Sequence, residues 1–241
     1  MSRLGAAGWR LWRCGRLRSA RDNREVISSQ PPLPLWDDPA ESTLSTPAPL
    51  PAHLARILAD STDRVGWLRA RSRGITATDV AKLATERSVR AVVDDKWYGS
   101  RFSGNAFTDH GREREPEIAR WVSENFGIQP STALFHAEGS RAHLATPDGL
   151  SIGGPGLHLA EIKTTSSAWR SIPRGYLRQV WWQQYVLGAE RTLLVWEQHR
   201  DFVPVDAEPQ YRWIDRDDNQ IHMLVRLADQ VLEALAQRSR G

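Results

Sequence analysis

The stretch ATPDGLSIGGPGLHLAEIKTT, residues 145–165, decides the fold because it combines a hairpin pattern with charged side chains. Its run GGPG is a turn signal, and the flanking segments predict strands over 149–153 and 157–163. A four-residue turn at GGPG places residues whose numbers add up to 309 opposite each other. Asp148 is therefore expected to face Glu161, although like charges directly opposite each other destabilise a strand pair.

The charges on this hairpin have two interpretations. Side chains alternate along a strand, so Glu161 and Lys163 share one face while Ile162 points into the core. A divalent cation between Asp148 and Glu161 explains the facing acids, because Mg²⁺ prefers carboxylate oxygens and can activate a water for attack on a phosphate. Lys163 could orient that water. In the other interpretation Asp148 belongs to turn chemistry and the remaining charges form a solvated face. The pattern alone leaves both open.

A third acid lies in the segment GREREPEIARWV, where a helix is predicted over 112–125. Helical spacing places Glu115 on the same inward stripe as Ile118 and Val122, and Pro116 is tolerated if it belongs to the first turn. A carboxylate that points inward needs a partner, and a metal ion on the sheet is one candidate. An acid that complements the helix dipole is the alternative.

Two glutamines lie in the segment YLRQVWWQQYVLGAER, within a helix predicted over 174–187. Gln179 and Gln183 are four residues apart and share one helical face. Buried amides require hydrogen-bond partners, so this face meets either solvent or a polar site. Trp181 and Trp182 are adjacent and diverge around the helix, which predicts at least one of them in the core.

The remaining elements give a mixed α/β pattern. Thr76 and Asp79 have the spacing of a capping box, so a helix is expected to begin near Ala77. The fold class is α/β, with a small mixed sheet flanked by helices. The other predicted elements are helices at 53–60 and 217–238 and strands at 131–136, 142–146 and 191–199.

The first part of the chain differs in composition from the rest. Residues 1–52 contain seven Arg against five acids, and seven prolines lie between Pro31 and Pro51. Such a composition does not build a packed core, so residues 1–52 are predicted to be a disordered extension and 53–241 the folded domain. The Arg-rich start has two other interpretations: an organellar transit peptide, or a start codon assigned upstream of the true one.

Composition excludes several classes of protein. The single cysteine, Cys14, excludes a disulfide framework and a Cys-ligated iron–sulfur cluster, and it fits a reducing cytoplasm. The seven histidines lack the spacing of a zinc site, and there is no Walker A motif. No apolar run approaches the eighteen residues of a membrane span, so a membrane partner is not expected.

Five motifs in order resemble the YqaJ-like viral recombinase family, also known from phage lambda exonuclease, within the PD-(D/E)XK nucleases. The resemblance extends over about Trp67 to Arg200 and implies a restriction-endonuclease-like core. The motifs are RARSRGITATDVAKL, GREREPEIA, ATPDG, EIKTT and YLRQVWWQQYVLGAER.

The resemblance also implies roles for individual residues. Asp148, Glu161 and the backbone carbonyl of Ile162 would bind catalytic Mg²⁺, with Mn²⁺ as a substitute, and Glu115 would bind the metal directly or through water. Lys163 would position the attacking water, and Gln179 would help to order the site. Arg71 and Thr78 match positions that bind a DNA 5′-phosphate. Trp181 stands where the family often has Gln, and TATD replaces a serine-containing version, which leaves the binding of DNA ends less well supported.

The function expected from these motifs is a metal-dependent 5′→3′ exodeoxyribonuclease acting on linear double-stranded DNA in phage-type recombination. The resemblance further implies a homotrimer and a single-strand annealing protein as partner. An endonuclease of the same fold is an alternative that keeps the metal site without needing Arg71. A non-catalytic DNA-binding module is a second alternative, and intact Asp148, Glu161 and Lys163 argue against it.

Overall fold

The computed structural model describes residues 51–99, 106–151 and 156–240. The predicted extension over 1–52 lies outside these ranges except for its last two residues, and so does most of the predicted turn at GGPG. None of the helices in the described ranges has both the length and the apolar character needed to span a membrane.

The described residues form ten strands and six α-helices. The strands are β1 (Ile57–Asp60), β2 (Ile75–Thr76), β3 (Ile128–Pro130), β4 (Ala133–Ala137), β5 (Ser140–Ala145), β6 (Gly149–Ser151), β7 (His158–Thr165), β8 (Arg191–Arg200), β9 (Val203–Pro204) and β10 (Gln210–Asp215). The helices are α1 (Arg64–Ser72), α2 (Ala77–Val80), α3 (Glu86–Tyr98), α4 (Ala106–Phe126), α5 (Arg174–Leu187) and α6 (Asp218–Arg238).

The strands lie in two main sheets. One has the order β1-β4-β5-β2, in which β2 runs parallel to β5 and the other pairs are antiparallel. The other has the order β10-β8-β7-β6-β3, in which only β7 and β8 are parallel, and the short β9 pairs with β8. The predicted α/β class is confirmed, but the prediction of one small sheet was wrong because β5 and β6 belong to different sheets.

The hairpin of β6 and β7 has the predicted register. Gly149 pairs with Ala160 and Leu150 with Leu159, so the paired numbers add up to 309. A Cβ on Gly149 would lie 2.9 Å from Ile128 and 3.1 Å from the Cβ of Ala160. Glycine is therefore required here by the close packing of three strands.

Helix α5 connects the parallel strands β7 and β8, as parallel pairing requires a crossover connection. Its bounds match the predicted 174–187, and Gly188 ends it in the left-handed conformation with φ of 77°. The helix buries Val180, Trp182 and Val186 against the sheets. Trp182 is fully buried and donates a hydrogen bond to the carbonyl of Leu144, which confirms the core position predicted for one of the two tryptophans.

Two other predicted helices are present but differ from the prediction in their length or first residue, and one predicted helix is absent. The capping box of Thr76 and Asp79 is present, but the helix that it begins has only four residues. Helix α4 starts at Ala106 instead of 112, so Pro116 lies inside the helix and not in its first turn. The predicted helix at 53–60 was wrong: a single 3-10 turn, Leu54–Arg56, is followed by strand β1.

Candidate active site

Asp148 lies where the chain passes from the first sheet to the second. Its backbone N–H donates to the carbonyl of Ala160, 3.1 Å away, which continues the hairpin ladder by one position. Its Oδ2 accepts a hydrogen bond of 2.7 Å from the backbone N–H of Ile162. Asp148 is therefore fixed against the edge of β7 beside Glu161, as the hairpin register predicts.

Glu161 is a buried carboxylate, 1% exposed, held by three donors. Its Oε1 accepts hydrogen bonds from Lys163 Nζ and Gln179 Nε2, and its Oε2 accepts one of 2.6 Å from Gln183 Nε2. The face of α5 that carries the two glutamines thus meets a polar site, which settles the question left open by the sequence. Gln183 was not predicted as a site residue, although its spacing from Gln179 pointed to it.

Lys163 shares the face of Glu161, and Ile162 packs on the opposite side among the side chains of α4. Burial alone lowers the pKa of Lys163, but the negative charges of Glu161 and Asp148 outweigh this effect and raise it. The side chain is therefore an ammonium ion at neutral pH. It can donate hydrogen bonds and stabilise negative charge, but it cannot accept a proton.

Glu115 approaches the same group of charges from α4. Burial and the charge of Glu161 raise its pKa, while Lys163 lowers it, so its carboxyl lies within electrostatic reach of both. Glu115 is exposed as a whole residue, but its carboxyl is partly desolvated and interacts with the charges of Glu161 and Lys163 on the sheet, which is the side that helical spacing predicted. Gly111, one turn earlier, allows this approach because a Cβ there would lie 2.8 Å from Oγ1 of Thr164.

The electrostatics of Asp148 reflect this crowding. Burial raises its pKa well above the ordinary value, and the neighbouring charges of Glu161 and Glu115 raise it further. Lys163 and the hydrogen bond from Ile162 act in the opposite direction without cancelling the effect. Three carboxyl groups and one ammonium group thus interact in this site, and the acids outnumber the base.

These donors fit a magnesium ion. Mg²⁺ is usually held by one or two carboxylates and keeps several waters. Glu161 has four lone-pair positions, of which three are used. Oδ1 of Asp148 accepts no hydrogen bond from the described residues. The carbonyl of Ile162 lies on the same side of β7 as its N–H, because the two groups of one residue point to one side of a strand. Within the described ranges, no group of three Asp, Glu, His or Cys side chains is already arranged around a metal position.

Arg71 and Thr78 lie on neighbouring elements. The guanidinium of Arg71 packs over the ring of Trp67, 4.3 Å from its centroid, and donates a 3.3 Å hydrogen bond to Thr146. Thr146 is two residues before Asp148 in the sequence. Thr78 is exposed in the first turn of α2, and its neighbour Asp79 attracts the charge of Arg71. Arg71 therefore contacts the segment that leads to Asp148, and Thr78 lies at the surface on α2.

Comparison with known proteins identifies the family of the chain. The family model described as the YqaJ-like viral recombinase domain matches residues 66–190, more than half of the chain. Among curated proteins, none matches the chain.

Two solved structures share the fold. An alkaline exonuclease (LHK-Exo) from Laribacter hongkongensis is 24% identical, with a TM-score of 0.56 over 71% of this chain and 92% of that one. A phage-related exonuclease from Haemophilus somnus 129PT is 13% identical, with a TM-score of 0.54 over 69% of this chain and 95% of that one. At these identities the likeness concerns the fold, and both relatives are described as exonucleases.

Proposed function

The chain belongs to the YqaJ-like viral recombinase family, and we propose that it is a Mg²⁺-dependent exonuclease that digests linear double-stranded DNA in the 5′→3′ direction. The observation that carries this proposal is the group of Asp148, Glu161 and Lys163 at one edge of β7. It joins an oxygen-donor site for a hard cation to a fixed ammonium group. Both are needed for the hydrolysis of a phosphodiester bond through an activated water.

Each residue of the group has a distinct part in this proposal. Asp148, Glu161 and the carbonyl of Ile162 would hold Mg²⁺, with Mn²⁺ as a substitute, and Glu115 would bind it directly or through water. The bound ion supplies an activated water and stabilises charge on the phosphate. Lys163, as an ammonium group, would orient that water and the phosphate. Gln179 and Gln183 would fix the carboxylate of Glu161.

The preference for a DNA end rests on Arg71. Its planar guanidinium suits two-pronged contacts to a terminal phosphate, and it contacts Thr146, two residues before Asp148. Thr78 would add a hydroxyl contact from α2. We further propose that the folded domain at 53–241 carries the activity. A homotrimer and a single-strand annealing partner are implied by the family.

The test compares the purified protein with the Lys163→Ala variant, with Lys82→Ala as the control. Lys82 is another lysine in an ion pair, with Asp95, and its side chain is 47% exposed. The substrates are linear duplex DNA with and without a 5′-phosphate, and closed circular DNA, each with Mg²⁺ or EDTA.

The expected result is Mg²⁺-dependent shortening of linear DNA alone, faster with a 5′-phosphate, unchanged in Lys82→Ala and lost in Lys163→Ala. Cutting of circular DNA would identify an endonuclease instead. Binding of DNA without hydrolysis under any metal condition would contradict the enzymatic proposal.

A further inference from the structure

Lys163 faces an aromatic ring as well as the carboxylate of Glu161. Its Nζ lies 5.5 Å from the centroid of the Tyr176 ring, within the roughly 6 Å over which the face of an aromatic ring attracts a cation. Tyr176 lies in the first turn of α5, three residues before Gln179, which donates to the same carboxylate. The ammonium group therefore has an acid beside it on its own strand and a ring beside it on α5.

Two tryptophans support the ring of Tyr176. Trp196 is in register with Lys163 on the neighbouring parallel strand β8. Trp169, in the connection between β7 and α5, stacks on Trp196 at 5.2 Å between centroids and packs against Tyr176 at 5.1 Å. The three rings therefore form a continuous row that starts next to Lys163 on the sheet and returns to it from α5.

The ring can hold the ammonium group without using its hydrogen bonds. A lysine side chain has a flexible four-carbon stem, so the ion pair with Glu161 alone leaves the direction of the other N–H groups open. Nζ has three donors, and among the described residues only Glu161 accepts from it. An aromatic face attracts the charge through its quadrupole and offers no lone pair. N–H groups of Lys163 thus stay available for a water and a phosphate oxygen.

We propose that Tyr176 is a positioning residue whose ring fixes the ammonium group of Lys163 in the orientation that directs its remaining N–H groups at the attacking water and the phosphate. This inference rests on the proposed function, since it assigns Tyr176 a part in that same reaction. The face of the ring is the active feature, and the hydroxyl group is dispensable. Loss of the ring should slow the chemical step and leave DNA binding almost unchanged, because Lys163 keeps its charge.

Single-turnover rates separate the chemical step from DNA binding. Tyr176→Leu removes the ring, and we expect the cleavage rate to fall about tenfold while the Kd for duplex DNA in EDTA changes by less than about twofold. Tyr176→Phe keeps the ring and should recover most of the rate. Tyr98→Leu is the matched control, because Tyr98 is 79% exposed on α3, and it should cleave as the unmodified protein does. A Tyr176→Phe variant as slow as Tyr176→Leu would overturn the inference, because the hydroxyl would then be the active group.

Fluorinated phenylalanines at position 176 test the face of the ring with little change in its shape. Fluorine withdraws electron density from the face, so one, two and three fluorines should weaken the attraction for a cation stepwise. The logarithm of the single-turnover rate should fall with each added fluorine. A rate that does not depend on fluorination would overturn the inference, even if Tyr176→Leu fails to fold.

Lysine signals in NMR spectra give a readout that needs no activity. The chain has three lysines, Lys82, Lys96 and Lys163, so a protein labelled with ¹³C-lysine gives three Cε signals, and Lys163→Ala identifies one of them. In EDTA the ring current of Tyr176 should shift the Hε protons of Lys163 upfield in the unmodified protein and in Tyr176→Phe, and this shift should be lost in Tyr176→Leu. An unchanged Lys163 signal in Tyr176→Leu would overturn the inference. If the unmodified protein cuts no DNA, the proposed function fails, and the shift still decides whether Tyr176 holds Lys163.

Discussion

At the scale of single residues, Asp148 is held in a position where its charge opposes folding. It faces the buried carboxylate of Glu161, and the backbone N–H of Ile162 keeps it there. Its pKa is raised, chiefly by burial. An acid can have a higher pKa in the folded protein than in the unfolded chain, where the pKa of Asp is about 3.9. Such an acid stabilises the folded state when the pH is below this unfolded value. This contribution is lost as the pH rises through the folded pKa.

Replacing Asp148 with Asn should therefore stabilise the metal-free protein while abolishing nuclease activity. The amide oxygen of Asn can still accept from Ile162, and the repulsion from Glu161 is removed. We expect a gain in the free energy of unfolding of about 1 kcal/mol at pH 8, which raises the Tm by roughly 2–4 °C for a chain of this size. The gain should disappear near pH 4. Thermal melts in EDTA across this pH range provide the measurement.

The same melts test the metal site. Mg²⁺ should raise the Tm of the unmodified protein, because a ligand that binds only the folded state stabilises it, and it should have no effect on Asp148→Asn. Asp201→Asn, at an exposed position, is the control and should respond to Mg²⁺ as the unmodified protein does. A lower Tm for Asp148→Asn at pH 8 in EDTA would show that the facing acids do not repel each other.

Gln183 holds the side chain of Glu161 in position, but its own buried and unpaired oxygen lowers the stability of the fold. It is fully buried, its Nε2 donates to Glu161, and its Oε1 finds no partner among the described residues. Gln183→Met removes the unpaired oxygen but leaves Oε2 of the buried Glu161 carboxylate without its donor, so we expect a lower Tm. Activity should fall about 10–100-fold, with a higher Mg²⁺ requirement, as for other groups that orient a metal ligand.

Gln184→Met is the matched control for this change. Gln184 is equally buried and also has an unpaired Oε1, but it donates to Thr192 and to the carbonyl of Ile214, away from Glu161. The Gln184→Met variant should also have a lower Tm, but its Mg²⁺ requirement should be unchanged. If both variants changed the Mg²⁺ requirement equally, Gln183 would have only a structural role.

The sequence predicts that Asp148, Glu161 and Lys163 lie together, because the hairpin register and the alternation of side chains along a strand determine which side chains meet. Residues whose position depends on how separate elements pack cannot be predicted in this way. The approach of Glu115 to the charges on β7 depends on the close contact of α4 with Thr164 at Gly111. The contact of Arg71 with Thr146 joins residues 75 positions apart, and no local pattern indicates it.

At the scale of elements, α4 is joined to β8 by one ion pair with two hydrogen bonds. Arg114 precedes Glu115 and binds Glu197, which is 6% exposed. Burial alone would raise the pKa of Glu197, but Arg114 and His199 lower it, so the carboxylate stays ionised. The pair therefore fixes the turn of α4 that carries Glu115 toward the active site.

Arg114→Met should destabilise the protein by about 2 kcal/mol at pH 7, because it leaves a buried charge without its main partner. The loss should shrink as the pH falls and Glu197 becomes protonated in both proteins. Glu197→Leu combined with Arg114→Met should recover much of the loss, and a double-mutant cycle measures the coupling. Additive effects of the two changes would mean that the pair contributes no coupling energy.

Local sequence patterns predict whether a segment forms a helix or a strand more reliably than they predict which strands pair with each other. Helix α5 was predicted with its exact bounds because its apolar stripe and Gly188 both lie within the segment. The segment 53–60 was predicted as a helix, but Ile57–Asp60 pairs with β4, and this pairing outweighs a short helical pattern. The assignment of β5 and β6 to different sheets also depends on long-range pairing, which a single sequence does not specify.

At the scale of the whole molecule, Arg56 ties the first described part of the chain to α5 and β4. Its guanidinium donates to the carbonyls of Val186 and Leu187 at the end of α5, and to that of His136 in β4. The last carbonyls of a helix lack partners within the helix, so Arg56 closes the end of α5. The folded domain must therefore include this residue, and the boundary near His53 stays a prediction.

Deletion of residues 1–52 should leave the Tm unchanged, whereas deletion of residues 1–60 should lower it by roughly 10 °C. The longer deletion removes both Arg56 and β1, an edge strand of the first sheet. Arg56→Ala in the full chain should reproduce part of this loss, because it removes three hydrogen bonds to carbonyls and leaves β1 in place. Thermal melts of the four proteins give the comparison. If the deletion of 1–52 lowered the Tm as much as that of 1–60, the extension would contribute to the folded domain and the boundary at His53 would be wrong.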